Sequence, residues 1–172
     1  MRANNIRLLT ECAIFVALMA VASQASIPTP FVPITLQCLA VSLCGYYLGI
    51  KRGTISLLVY LALGAVGVPV FSMLNGGIYA FLGPTGGFII GFLPLCVLCA
   101  IVPDKWQGVL LGILGVLICH LLGVLQYSYV GNVDFLTSFF AVSLPYIIKD
   151  IILVVLAFFL SRAIKKRISR QH

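Results

Sequence analysis

Two adjacent ionisable residues, Lys149 and Asp150, stand inside an otherwise apolar stretch, Ser138–Ser161. A charge near a bilayer centre costs at least about 2.5–3.5 kcal/mol on insertion scales, so such residues are kept for a task. Side chains of neighbouring helical residues point about 100° apart, so the two are not expected to neutralise each other face to face. Pro145, one turn earlier, is expected to loosen the helix and free carbonyls. The alternatives are an ion pair with another helix, or a span whose true centre lies elsewhere. Thr35, Gln37 and Asn75 add uncharged donors and acceptors near the same end of the molecule. With the acid and the base they suit a small ligand that carries amide-like and acidic groups. Phe71, Tyr79, Phe88 and Tyr146 are placed to pack its carbon portion, although aromatic residues at span ends also serve as interface anchors.

Other chemistries are poorly supported. No nucleophile–base pair stands out, and Glu11 falls near the far end of the first apolar run. Cys96-Val-Leu-Cys99 has the form C-x-x-C, which in a soluble protein suggests redox or zinc chemistry. Here it lies in an apolar run without a nearby His or carboxylate, and the six cysteines read as small apolar packing residues. His120, beside Cys119, reads as a satisfied polar residue rather than a metal ligand. No catalytic residue, metal site or cofactor is expected.

The elements that must position these residues are membrane spans. The chain has 172 residues, 62% of them hydrophobic and only 9% charged, with mean hydropathy +1.16. A soluble domain has about 45–50% apolar and about 25% charged residues, and a small one cannot hide this much apolar surface. Six runs are long and apolar enough to be candidates: Leu8–Ser26, Thr35–Ile50, Gly53–Phe71, Leu82–Val102, Trp106–Tyr127 and Ser138–Ser161. Val68–Phe81, broken by Pro69 and Gly76-Gly77, reads as a re-entrant or loop segment. The first thirty residues resemble a signal peptide. Cleavage is not expected, because Glu11 interrupts the run and its loss would leave five spans.

The net charge of +7 invites a nucleic-acid partner, but its distribution argues against one. Arg2 and Arg7 precede the first span, Lys51-Arg52 and Lys105 sit in connections, and Arg162, Lys165, Lys166, Arg167 and Arg170 follow the sixth. With six spans all ten fall on one side, which by the positive-inside rule is the cytoplasm, together with both termini. Only Lys149 breaks the pattern. The whole chain, 1–172, is expected to form one all-α membrane domain.

The loops of the opposite face are distinctive. Ile27–Pro33 has three prolines, so it is extended and stiff; it suits a lid over a cavity or a plain connection. Asn75-Gly76-Gly77 and Gly83-Pro84-Thr85-Gly86-Gly87 allow close backbone approach by a ligand. Neither G-x-G-x-x-G nor G-K-[ST] is present, so no Walker-type ATPase is encoded. Ala13, Ala17 and Ala20 form a small-residue strip on the first helix, and Gly45–Gly49, Gly87–Gly91 and Gly108–Gly112 offer similar spacing, read first as packing within the chain.

Pro33-Ile-Thr-Leu-Gln37, then Tyr60-Leu-Ala-Leu-Gly-Ala-Val-Gly-Val-Pro-Val-Phe71, Gly76-Gly77, and Leu82-Gly-Pro-Thr-Gly-Gly-Phe-Ile-Ile-Gly-Phe92 resemble the BioY family, over nearly the whole chain. The resemblance implies the six-helix S-component fold in the cell (inner) membrane. It implies biotin held near the outer face under the first loop. It implies docking through Ala13-x-x-x-Ala17 on the transmembrane T-component of an energy-coupling factor (ECF) importer, with two ABC ATPases powering a toppling that carries the vitamin inward. Gln37, Asn75 and Asp150 match pocket positions, Asp150 and Asn75 facing the ureido ring. The chain departs from the family in having Leu153 where many members have Lys and Ile89 where some have Arg. The ligand carboxylate is then left to Lys149, or to backbone N–H groups at Gly86 and Gly87, since a helix N-terminus favours anions. Competing readings are an S-component for another small vitamin, a ligand-free structural subunit, and a membrane enzyme using Asp150 and His120.

Overall fold

The computed structural model describes residues 2–169. Arg170 lies outside the described residues, as do the side chains of Arg2 and Arg7. The described chain is helical apart from one two-stranded hairpin and short connections. Helix α1 is Arg2–Gln24 and α2 is Gln37–Ala65, joined through β1 (Ser26–Ile27) and β2 (Ile34–Thr35). A 3-10 turn, Ser72–Leu74, and the short α3, Tyr79–Leu82, lead to α4, Gly86–Ile101. Helix α5 is Trp106–Gly131, α6 is Phe135–Val142 and α7 is Leu144–Ser169.

Helix α2 is two antiparallel arms, 37–48 and 50–65. The reversal falls at Gly49, whose φ of 74° and ψ of −178° are open essentially to glycine alone. Cross-arm contacts confirm the fold-back. Gln37 Nε2 donates to Tyr60 Oη at 2.6 Å, and the Cys44 thiol lies 3.6 Å from Gly53 O. The second and third apolar runs therefore form separate helical arms, but the third stops at Ala65 rather than Phe71. Beyond it the chain turns at Gly67 (φ 101°), and Met73 and Leu74 take positive φ of 59° and 57°. Val68–Phe81 is the irregular segment that Pro69 and Gly76-Gly77 led us to expect.

The last run also differs. Ser138–Ser161 is not one span: α6 ends at Val142, Ser143 is non-helical at φ −120° and ψ −58°, and α7 begins at Leu144. Pro145 does not loosen the middle of a helix. It occupies the first turn of a new one, where its missing N–H has no partner to lose. Lys149 and Asp150 consequently sit about one and a half turns into α7, near one end of the molecule rather than at mid-span.

Glycines set the tightest packing. A Cβ on Gly91 would stand 2.7 Å from Cys119 Cα, and one on Gly115 would stand 2.9 Å from Leu95 Cα, so α4 and α5 meet backbone to backbone. Gly87 faces Leu122 O on the same seam, Gly45 closes α2 on Cys96 and Cys99, and Gly112 faces Tyr46 and Val154. Cys96 and Cys99 are buried and unbridged. The glycine spacings thus act within the chain, except at Gly49, which turns it.

Apart from Lys149, the basic residues with described side chains gather at one end. Arg52 pairs with Glu11 at 3.2 Å and Lys165 with Asp104 at 3.0 Å. Tyr46 Oη donates to Gly108 O, and Arg162 stacks over Phe158. The sides of the bundle are apolar: Leu110, Leu114, Leu117, Leu121 and Leu125 make an exposed stripe along α5. Water disfavours such a surface and lipid accepts it.

Candidate ligand-binding site

At the end opposite the bases lies a cavity with an empty volume of about 770 Å³, open mouth included. Its walls come from the β1–β2 loop (Val32, Pro33, Thr35), the start of α2 (Gln37, Cys38), the segment carrying Phe71, Ser72 and Asn75, and α4 (Thr85, Phe88, Ile89, Phe92, Leu95). Helix α5 adds Val116, Cys119 and His120, the end of α6 adds Val142, and α7 adds Tyr146, Lys149 and Asp150.

The polar heart is Asp150. Lys149 Nζ stands 2.8 Å from Asp150 Oδ1 and also donates to Thr35 O at 3.1 Å. Lys149 and Asp150 are thus an ion pair, contrary to the expectation from their helical spacing. The flexible lysine stem lets the ammonium curl back to the next residue, which the roughly 100° offset between Cβ directions does not prevent. The ammonium approaches off the line a hydrogen bond requires, so Oδ1 is matched in charge yet buried without a hydrogen-bond donor. The other oxygen, Oδ2, is 3.1 Å from His120 Nε2, and His120 Nδ1 is 3.0 Å from Ser143 Oγ.

Ser143, His120 and Asp150 stand in the order of a hydrolase triad, but Ser143 is fully buried and does not line the cavity. A nucleophile must reach its substrate, and this hydroxyl cannot meet a ligand held there.

The segment carrying Asn75 is held from behind. Tyr60 Oη donates to Val70 O at 2.8 Å and Ser23 Oγ to the same carbonyl at 2.5 Å. Gln24 Nε2 donates to Phe71 O at 2.8 Å, and Gln24 Oε1 accepts from Leu74 N at 3.0 Å. Asn75 Oδ1 accepts from the Gly76 N–H at 2.9 Å. Its amide nitrogen has no partner among the described residues and remains a donor. The proline loop is closed by two strand pairs, Ser26 with Thr35 and Ile27 with Ile34, and Thr29 Oγ1 meets Tyr146 Oη at 2.9 Å. Gln126 Nε2 donates to Phe81 O and Gly83 O, tying the α3–α4 connection to α5.

Of the residues singled out in the sequence, Asp150, Asn75, Lys149, Gln37, Thr35 and Tyr146 come together in this cavity. Tyr79 does not: it is 82% exposed and outside the lining, because α3 turns it away. Gly86 and Gly87 are also outside the lining. Their missing side chains admit Phe81 O, Gln126 and Leu122, and the Gly86 N–H already donates to Gly83 O at 3.1 Å. Ala13 and Ala17 are exposed on α1, whereas Ala20 is half-buried and packs on the core. Sequence reasoning missed the His120–Asp150 bond, since thirty positions separate the two, and missed Ser23, Gln24 and Tyr60 as supports.

Comparison with known proteins agrees with this architecture. The BioY family model matches residues 1–170. The chain belongs to the BioY family. A probable biotin transporter BioY of Pyrococcus horikoshii is 40% identical over 153 residues, 88% of this chain and 90% of that protein. The biotin transporter BioY of Thermotoga maritima is 34% identical over 164 residues, 93% of this chain and 96% of its own. Among solved structures, the S-component for biotin from an ECF-type ABC transporter superposes with a TM-score of 0.88 at 31% identity, covering 96% of this chain and 94% of that one. This BioY family member is therefore a membrane protein with the S-component fold, built as a transporter subunit rather than an enzyme.

Proposed function

We propose that the chain captures biotin at the outer face of the cell membrane and hands it inward as the S-component of an ECF-type ABC importer. The observation that carries the reading is a cavity lined both by Asp150, whose Oδ1 accepts no hydrogen bond from the protein, and by Asn75, whose amide N–H groups have no partner among the described residues. A ureido ring offers the reverse pattern, N–H donors beside a carbonyl acceptor, so it supplies both missing hydrogen bonds at once. Phe71, Phe88 and Tyr146 pack its carbon skeleton, and Gln37 and Thr35 complete the polar wall. Lys149 balances the charge of Asp150. The pair is neutral, so the ligand carboxylate meets no guanidinium, Ile89 standing where some family members have Arg.

In this reading the chain is one domain of six membrane spans: α1, the two arms of α2, α4, α5, and α6 with α7. The basic end and both termini face the cytoplasm of the cell (inner) membrane. Ala13 and Ala17 present the small-residue strip to the transmembrane T-component, with Ala20 at its inner margin, and two ABC ATPases supply the energy this chain has no motif to provide.

The test is uptake of labelled biotin by cells that lack their own transporter. The chain supplied with a T-component and ATPase pair is expected to raise uptake well above background, and excess desthiobiotin to compete where riboflavin and thiamine do not. Riboflavin or thiamine competing as well as desthiobiotin would assign the site to another vitamin.

A further inference from the structure

We infer that His120 is a positioning residue which, acting through Asp150, makes the site selective for an unsubstituted ureido N–H. This deepens the biotin reading and rests on it. A carboxylate only accepts hydrogen bonds, so the contact between Asp150 Oδ2 and His120 Nε2 at 3.1 Å requires the ring hydrogen on Nε2. In that tautomer Nδ1 accepts from the Ser143 hydroxyl at 3.0 Å.

Besides Asp150, Ser143 and Phe88 hold the imidazole. Ser143 is fully buried at the break between α6 and α7, and its carbonyl receives the N–H groups of Tyr146 and Ile147. Phe88 meets the ring edge-on, centroids 5.5 Å apart at 88°. The charged groups facing this cluster are Asp150 and Lys149, both from α7, and Lys149 approaches only Oδ1.

The consequence follows from the two-fold freedom of a carboxylate about its last torsion. With Oδ2 bound to α5 through His120, Oδ1 is the carboxylate oxygen left without a hydrogen-bond donor, the Lys149 ammonium standing 2.8 Å away. A ligand N–H completes it, whereas an N-methyl group leaves it buried and unpaired, a large penalty. Without His120 the carboxylate is free to turn, Lys149 can donate a proper hydrogen bond to it, and the site no longer distinguishes the two ligands well.

The experiment uses the full chain in detergent, with biotin and with biotin methylated on either ureido nitrogen. The parent is expected to prefer biotin to one of the methylated forms by about 100-fold or more. His120→Leu is expected to weaken biotin by about tenfold or more, with little change for that methylated form, so the ratio collapses. In His120→Gln the amide N–H reaches the place of Nε2 and restores the ratio to within a few-fold. Equal weakening of both ligands in His120→Leu, or no weakening, overturns the proposal. If the leucine variant does not fold, two results decide. Nitrogen-15 histidine spectra of the parent, assigned by the signal lost in His120→Gln, should show the Nε2-protonated ring; an Nδ1-protonated ring contradicts it. His120→Gln without the parent's ratio also contradicts it. A parent that binds no biotin at all fails the functional reading instead, and the tautomer is read without ligand.

Discussion

Asp150→Asn is expected to weaken biotin binding by about 100-fold or more, because a hydrogen bond to a charged group contributes about 1.5–3 kcal/mol and the substitution also unpairs Lys149. Asn has nearly the same shape, so no packing is lost. Its side chain, however, has one acceptor where the carboxylate has two. If that oxygen stays with His120, the NH₂ is turned into the cavity, donor against ureido donor. If it faces the ligand, the Nε2–H of a buried ring loses its acceptor. Either arrangement leaves one group unsatisfied in a low-dielectric site. Titration calorimetry in detergent reads the affinity, with helix content and elution volume matching the parent as the control for folding. Parent-like affinity in Asp150→Asn would remove Asp150 from the site.

The second large effect is on stability. Gly91→Leu is expected to lower the unfolding midpoint in detergent by about 5 °C or more, the scale of an overpacking cost of about 1–3 kcal/mol in a chain of this length. The reason is the nature of the neighbour. A Cβ at 91 meets Cys119 Cα at 2.7 Å and its sulfur at 2.8 Å, and a backbone atom cannot swing aside as a side-chain tip would. The helices must part, and the shift falls on the residue preceding His120. Biotin affinity should therefore drop together with stability. Ile90→Ala, on the exposed face of the same helix, is the control and should leave affinity unchanged. An undisturbed midpoint in Gly91→Leu would mean that α4 and α5 are not in backbone contact.

Much of this was legible from residue types. Lys51-Arg52 marked a boundary between two apolar runs, and the chain reverses just before it at Gly49, which the sequence offered only as packing spacing. The basic residues outlined one end, and Lys149-Asp150, Asn75, Gln37 and Thr35 the other, because a polar group among apolar neighbours is conspicuous. What stayed hidden has one of two physical causes. Ser143 and Pro145 break the last apolar run into α6 and α7, and hydropathy does not register a break between two apolar helices. The His120–Asp150 bond, and the support of Val70, Phe71 and Leu74 by Ser23, Gln24 and Tyr60, depend on which helix faces meet, and local sequence does not encode that. Tyr79 misled for the same reason: its type suits a binding wall, but α3 points it outward.

The most direct measurement is a biotin titration of the purified solitary chain, without coupling subunits. The account predicts saturable binding of one biotin per chain, with Kd at or below about 1 µM, corresponding to about −8 kcal/mol, and displacement by excess unlabelled biotin. Absence of saturable binding by a folded chain would contradict it.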